Sequence, residues 1–248
     1  MAGGEDRTYR LLNRQQDLAF FQVVVRETDL DIGVAKEKFK QRLVEKVREK
    51  VLAVRHQLEA FIVADPSFAR AMSPYSPPSS APEIAMLMAR ESSKAGVGPM
   101  AAVAGTFSET VGRLVSLYSS EVIVENGGDI YLRSSKSRNI GIFAASSPFS
   151  NRIALKIKPY QTPLGICTSS GTVGHSTSYG KADAVIVLAP SVPLADAVAT
   201  ASGNMIKDPE NVHEAAEFAI SVPGVRGVVA IKGEKLAAAG DVEIIPLR

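Results

Sequence analysis

In the stretch "DAVIVLAPSVPLADAVATA" (residues 183–201), an apolar segment typical of a strand runs directly into a segment of small residues typical of a helix. Its first half has the length and β-branched composition of a buried strand. The helix that follows carries one acid, Asp196, and one turn later a hydroxyl, Thr200. At a spacing of four, both side chains project from one face. Their small neighbours allow another backbone or a ligand to approach closely.

Two interpretations of Asp196 and Thr200 follow from these residues. Carboxylate and hydroxyl oxygens are hard ligands that suit Mg²⁺ or Ca²⁺. Alternatively, the helix is simply tightly packed, and Asp196 caps another element or accepts a backbone hydrogen bond. The spacing alone favours the second interpretation and leaves the first open.

Composition indicates an ordinary globular protein. The 248 residues are 46% hydrophobic and 22% charged, enough for a sizeable core. The chain has 28 Lys and Arg and 26 Asp and Glu, so its overall charge is close to zero. Its overall charge therefore does not favour a nucleic acid or a membrane as partner. A single cysteine, Cys167, excludes an internal disulfide and a zinc site built from cysteines alone. With no secretion signal or apolar span recognisable, we expect a cytoplasmic protein.

Strands and helices alternate along the chain, which predicts a mixed α/β (α+β) fold. We expect mixed, largely antiparallel sheets packed with helices in a single compact domain over residues 1–248. Its predicted parts are N-terminal strands and a long helix (1–63), a Pro/Ser-rich loop (64–81), a central region (85–205), and a C-terminal helix and hairpin (206–248). The long helix, from about Lys36 to Val63, has a strongly charged outer face. This face favours a solvated surface with ion pairs four residues apart over contact with an acidic partner.

Two glycine-containing segments could bind a ligand. "ENGGDI" (125–130) is typical of a tight hairpin turn, although Gly127 and Gly128 could also present backbone N–H groups to a phosphate or a ring. "TSSGTVGHSTSYGKAD" (168–183) is rich in hydroxyls and directly precedes the buried strand. Ligand-binding loops occupy that position in α/β sheets. Within it, His175 is either an acid/base group or an ordinary hydrogen-bonding residue.

Together these segments resemble the ApbE-like superfamily, the FAD:protein FMN transferases, and a shorter branch of it most closely. "DAVIVLAPSVPLADAVATA" is close to the family's "SVTVLAPSAMLADALSTA", and "ENGGDI" to its "NLGGDI". The weaker matches keep the same order: "VAGTFSET" (103–110) for "IAKGYAVD", "RNIGIFAASSP" (138–148) for the "WRVGI…P" strand, and "SSG" (169–171) for "TSG".

The resemblance implies an ApbE-like fold that binds a flavin nucleotide or a related phosphate-bearing ligand, FAD or FMN, together with Mg²⁺. The metal would be held by Asp196, Thr200 and the backbone carbonyl of Ala104. The implied ligand-binding residues are Asn126, Gly127, Gly128, Asp129, Ser169, Ser170, Gly171 and Gly174. His175 and Asp183 are the implied catalytic residues.

The implied reaction cleaves FAD and transfers FMN to a protein hydroxyl or to water, with an acceptor protein as a second partner. The chain departs from the family at two places. Gly105 stands where the family has a lysine, and "GHSTSYGKAD" replaces its "HIIDPRTG" segment. These departures favour the alternative, a non-catalytic ligand-binding or sensor protein that kept the fold. A homodimer is compatible with the sequence but is not required by it.

Overall fold

A computed structural model describes residues 8–171 and 180–247 of the chain. Within these ranges it has six α-helices: α1 Gln41–Ala64, α2 Pro66–Arg70, α3 Glu83–Lys94, α4 Val103–Val115, α5 Val192–Met205 and α6 Val212–Ser221. The strands are β1 Leu18–Val25, β2 Thr28–Ala35, β3 Val122–Asn126, β4 Asp129–Arg133, β5 Arg138–Gly141, β6 Ile153–Ile157, β7 Leu164–Ser169, β8 Ala184–Ala189, β9 Gly227–Lys232, β10 Lys235–Gly240 and β11 Ile244–Pro246.

The described strands form two sheets. The larger has eight strands in the order β1-β2-β3-β4-β7-β8-β9-β10, and the smaller has three in the order β11-β6-β5. Every neighbouring pair is antiparallel. In the larger sheet the pairs β1–β2, β3–β4 and β9–β10 are hairpins, whereas longer connections join the other pairs. This arrangement confirms the predicted mixed α/β class with largely antiparallel sheets.

The eight-stranded sheet is the middle layer, and both of its faces are buried. Along β8, Val185 and Val187 belong to the apolar cluster shared with the helices, whereas Ile186 and Leu188 belong to the cluster shared with the small sheet. Alternate side chains of a strand point to opposite faces, which explains why the apolar run of β8 is continuous. Because both clusters use the same strands, the chain folds as one unit.

Apolar residues recur at three- and four-residue steps along the long helix, which predicts one buried stripe, and α1 buries this stripe. Its buried residues are Leu43, Val47, Val51, Val54 and Leu58, at three- and four-residue steps. The helix begins at Gln41 rather than near Lys36, because residues Lys36–Lys38 form a short 3₁₀ turn. No helix in the described part of the chain combines the length and apolar character needed to cross a membrane.

Two local predictions were wrong. Residues Thr8–Asn13 form a 3₁₀ helix, so the strands expected in the N-terminal part begin only at Leu18. This turn places Arg10 beside carboxylates of β2 and β3, with which it forms ion pairs. Strand propensity takes no account of such ion pairs. The Pro/Ser-rich segment contains the short helix α2, which proline initiates and which buries Phe68 in the core.

Candidate functional site

Helices α4 and α5 cross in direct contact, and Gly105 makes the contact possible. A Cβ atom at position 105 would lie 2.8 Å from the Cβ of Asp196 and 2.8 Å from the carbonyl oxygen of Val192. The backbone N–H of Gly105 donates to Oδ2 of Asp196 at 2.8 Å. In return, Oε2 of Glu109 on α4 accepts the N–H of Val192, the first residue of α5, at 2.8 Å. Each helix therefore binds an N-terminal N–H of the other.

The carboxylate of Asp196 lies in a strongly desolvated position. Loss of water raises its pKa to about 7, although the N–H groups of Gly105 and Ala104 partly offset the rise. These bonds show that Asp196 accepts backbone hydrogen bonds, as the second interpretation expected. Because only Oδ2 is bonded to Gly105, they do not exclude a ligand at the other oxygen.

A second carboxylate, Asp129 at the start of β4, interacts with Asp196. Burial raises the pKa of Asp129 well above its ordinary value, and the charge of Asp196 raises it further. The neighbouring Cys167 thiol and Thr168 N–H, whose hydrogen bonds go to the carbonyl oxygens of Val192 and Gly128, only partly offset the rise. Neither acid forms an ion pair with any Lys, Arg or His in the described ranges. Two acids that pair with no cationic side chain among the described residues therefore share the site.

The carbonyl oxygen of Ala104 faces the same region. It lies 3.2 Å from Nδ2 of Asn126 and 3.1 Å from Oγ of Ser108. The Ser108 hydroxyl also lies 2.9 Å from the carbonyl oxygen of Asp129. These contacts tie the start of α4 to the β3–β4 hairpin, so that residues far apart in sequence are adjacent.

The "ENGGDI" segment forms the hairpin turn between β3 and β4, with Asn126 paired to Asp129. Both glycines have positive φ, +66° at Gly127 and +103° at Gly128, a conformation that favours glycine. A Cβ at Gly127 would meet no heavy atom within 4 Å, so this side of the turn is open. The N–H of Gly128, however, is bound by Oε1 of Glu125 at 2.7 Å.

Glu125 connects the turn to the N-terminal segment. Its Oε2 accepts from Nε of Arg10 at 2.6 Å, and the Arg10 guanidinium also bonds Oδ1 of Asp29 at 3.1 Å. Both Glu125 and Arg10 are buried. Glu125, Ser108 and Glu109 all lie within quoted motifs, but the sequence pattern assigned none of them a role. A buried acid preceding a glycine turn was the available signal.

The ends of the 168–183 segment meet beside α5. Gly171 and Gly180 are in backbone contact, and the N–H of Gly171 donates to the carbonyl of Ala182 at 2.9 Å. A Cβ on Gly203 of α5 would lie 3.3 Å from Oγ of Ser169. Gly203 follows Thr200 by one turn, so these ends adjoin the helix face that carries Thr200. Two predicted residues, Gly174 and His175, lie outside the described residues.

The side chain of Asp183 forms its hydrogen bonds with the β9–β10 turn. Its Oδ2 accepts the N–H of Gly233 at 2.7 Å, and its Oδ1 lies 3.2 Å from Nζ of Lys232. These bonds tie the start of β8 to the β9–β10 turn. Its catalytic role therefore stays a prediction, and the contacts found for it are those of a turn-stabilising residue.

A cation at this site would depend mainly on oxygen atoms that are not carboxylates. No group of three His, Cys, Asp or Glu side chains suited to a metal occurs in the described part of the chain. Asp196 offers its carboxylate, whose Oδ2 accepts the Gly105 N–H, and Thr200, partly exposed, makes no side-chain hydrogen bond to a described residue. The Ala104 carbonyl is shared with Asn126 and Ser108. Such a sparse set fits Mg²⁺, which commonly keeps waters and takes phosphate oxygens as its other ligands.

Comparison with known proteins identifies close sequence relatives. The family model described as "AbpE bacteria" matches residues 10–222. The chain is 44% identical over 191 residues to a UPF0280 protein of Methanocella arvoryzae, covering 77% of this chain and 78% of the relative. It is 40% identical over 201 residues to a UPF0280 protein of Methanosarcina acetivorans, covering 80% of this chain and 79% of that relative.

Solved structures share the fold at low sequence identity. The ApbE protein of Thermotoga maritima matches with a TM-score of 0.54 at 12% identity, covering 90% of this chain and 96% of that one. The apo form of the flavinyl transferase ApbE of Pseudomonas stutzeri matches with a TM-score of 0.52 at 12% identity, covering 90% and 94%. These likenesses agree with the ApbE-like fold that the sequence motifs imply.

Proposed function

The chain belongs to the family of the UPF0280 proteins and the "AbpE bacteria" model, and from this premise we propose that it binds a flavin nucleotide or a related phosphate-bearing ligand together with Mg²⁺. The observation that carries the proposal is the pair Asp129 and Asp196. Both are desolvated, both have raised pKa values, and no described cationic side chain pairs with either. A divalent cation would offset this unfavourable charge.

Mg²⁺ would be held by a carboxylate oxygen of Asp196, the hydroxyl of Thr200 and the carbonyl of Ala104. The Ala104 carbonyl would exchange one of its present side-chain donors for the ion. When bound, the ion would neutralise charge on phosphoryl oxygens and orient the leaving group. In this proposal the N–H groups at the start of α4 keep Asp196 oriented, and Asp129 contributes negative charge from behind.

The phosphate-bearing ligand would lie along the wall formed by the β3–β4 turn and the end of β7. The open side of Gly127 allows close approach of a ring or a phosphate, and the remaining contacts would come from Asn126, Gly128, Asp129, Ser169, Ser170, Gly171 and Gly174. Glycines and short hydroxyl side chains suit this role because they leave room for a nucleotide.

The reaction we propose is cleavage of FAD with transfer of FMN to a protein hydroxyl or to water. His175 and Asp183 are the proposed acid/base residues, and an acceptor protein is the proposed second partner. One observation favours the alternative of a non-catalytic ligand-binding protein: Gly105, in place of the family's lysine, packs directly on α5 and leaves no room there for a long cationic side chain.

The test measures binding and turnover separately. Purified protein is titrated with FAD with and without Mg²⁺, followed by flavin fluorescence, and the products are separated chromatographically for FMN and AMP. We expect Mg²⁺-dependent binding that Asp196→Asn weakens at least tenfold. This variant keeps an acceptor for the Gly105 N–H while removing the charge. The matched control is Glu210→Gln, which removes an exposed carboxylate that pairs with Lys235.

The outcomes separate the hypotheses. Binding with release of FMN supports the transferase, whereas binding of intact FAD without products supports the ligand-binding alternative. Absence of FAD binding in the native protein, with Mg²⁺ present, would refute the flavin proposal. In that case, mass spectrometry of molecules that copurify with the native chain would identify an anionic ligand that binds beside the β3–β4 turn and the end of β7.

A further inference from the structure

The first half of α1 and the turn before it carry an exposed band of cations, here called the basic tract. Over residues 36–50 the chain has seven basic and three acidic residues. All seven basic side chains except that of Lys46 are exposed, and Lys46 is partly buried. The members of the basic tract are Lys36, Lys38, Lys40, Arg42, Lys46, Arg48 and Lys50.

The basic tract is not neutralised within the described part of the chain. None of its side chains forms an ion pair there, and neither do its acids Glu37, Glu45 and Glu49. The ion pairs of α1 lie instead in its second half, where Arg55 binds Glu59 and Glu27. The ion-paired solvated face expected from the sequence is therefore absent from the first half of α1.

The placement of these charges is unfavourable for the helix itself. Arg42, Lys46 and Lys50 follow one another at four-residue steps, a spacing at which like charges repel. The first turn of α1 contains no acid, and Lys40 at its N-cap makes no capping hydrogen bond, although a helix N-terminus favours negative charge. An external anionic surface would relieve both effects.

Exposed apolar side chains adjoin the basic tract. Leu117 is 78% exposed, Tyr118 is 43% exposed and Phe39 is 40% exposed. The Lys46 ammonium lies 6.0 Å from the centre of the Tyr118 ring. Likewise, the N–H of Ala35, next to Lys36, lies 3.4 Å from Oγ of Ser119. The segment that carries Leu117 and Tyr118 therefore lies alongside the basic tract.

We propose that the basic tract and this apolar segment form a docking surface for an anionic lipid bilayer. Lysines flanking a protruding leucine, a tyrosine and a phenylalanine are the combination by which proteins bind at the headgroup region without spanning the membrane. A flat bilayer can reach such protruding side chains without a groove. The sequence expectation of no membrane partner rested on overall charge and on the absence of a spanning segment, and neither bears on a local surface contact.

The docking surface is separated from the candidate site by the length of β3. Val122, at the start of β3, pairs with Val34 next to the basic tract, whereas Asn126, at its end, belongs to the site. A bilayer bound at one end would leave the other accessible. The docking proposal is therefore independent of the ligand.

The test is cosedimentation with phosphatidylcholine vesicles prepared with and without phosphatidylglycerol, at low and high salt. We expect binding only to the anionic vesicles, weakened by salt. At about fivefold for each lysine near a charged surface, Lys36→Gln, Lys38→Gln and Lys40→Gln together should reduce binding by about a hundredfold. The matched control is Lys156→Gln, Lys158→Gln and Lys235→Gln, which removes three cations that are paired with acids elsewhere.

Circular dichroism verifies that both triple variants are folded. Leu117→Ser should weaken binding while preserving its salt dependence, because it removes apolar insertion and no charge. The proposal is overturned by absence of binding to anionic vesicles, by equal binding to neutral vesicles, or by equal loss in the control variant. Cross-linking of the docking surface to an acidic protein or a nucleic acid, without vesicle binding, would likewise overturn it.

Discussion

Replacing Gly105 with alanine tests the contact between α4 and α5 that builds the candidate site. Alanine has the higher helix propensity, which alone would stabilise α4 by about 1 kcal/mol. Against this, the new Cβ would lie 2.8 Å from both the Cβ of Asp196 and the carbonyl oxygen of Val192. Neither atom belongs to the flexible end of a side chain, so the helices must separate.

Two costs set the expected loss of folding free energy in Gly105→Ala. Overpacking at a tight backbone contact costs about 1–3 kcal/mol. Separation also lengthens the bond from the Gly105 N–H to Asp196, which costs roughly a further 1–2 kcal/mol because the acid is desolvated. Set against the helix gain, Gly105→Ala should lower the free energy of unfolding by about 1–4 kcal/mol.

Urea unfolding followed by circular dichroism measures this change. The matched control is Gly203→Ala on α5, where the new Cβ would lie 3.3 Å from Oγ of Ser169, a side-chain atom that can shift. We expect the control to be close to neutral or slightly stabilising. If Gly105→Ala is as stable as the native chain, the two helices do not pack as closely as described and the reasoning fails.

Three further predictions concern charged groups. Glu121→Gln should destabilise the protein by about 3 kcal/mol at pH 7, because hydrogen bonds from Ser134, Ser135 and Arg138 outweigh burial and lower the pKa of Glu121 to about 2. Since a lowered folded pKa gives stability that is lost in acid, the difference from the native chain should shrink between about pH 4.5 and pH 2 in urea unfolding. Asp196→Asn should lower the raised pKa of Asp129 without restoring its ordinary value, because burial is the larger cause; carboxyl ¹³C titration by NMR measures this. Glu125→Ala should accelerate amide exchange at Gly128, whereas Glu125→Gln, which keeps an acceptor, should change it less.

Helices and strands were predicted correctly where the local sequence pattern agrees with the tertiary packing. The stripe of α1 and the continuous apolar run of β8 are confirmed because side-chain periodicity directly reflects the burial of one face or of both. The 3₁₀ turn at Thr8–Asn13 was missed because its conformation depends on carboxylates at positions 29 and 125 that Arg10 contacts. Ion pairs over such separations have no local signature.

The candidate site shows the same division. The motifs named Asp196, Ala104 and the glycine turn, and the structure brings them together through Gly105, Asn126 and Ser108. It does not bring Asp183 with them, because β8 carries that residue to the β9–β10 turn. Asp183 was therefore assigned to the site from its motif, but its side-chain contacts lie elsewhere.

By itself, the sequence determined the fold class, the helix and strand order, and the family, because these depend on periodicity and on short motifs read along the chain. Three features depend on tertiary contacts. Asp196 binds the start of α4, Asp129 interacts with it and pairs with no described cationic side chain, and Glu125 binds the Gly128 N–H. Hydrogen-bond partners and desolvation arise from residues that are distant in the chain and close in space, which no local pattern encodes.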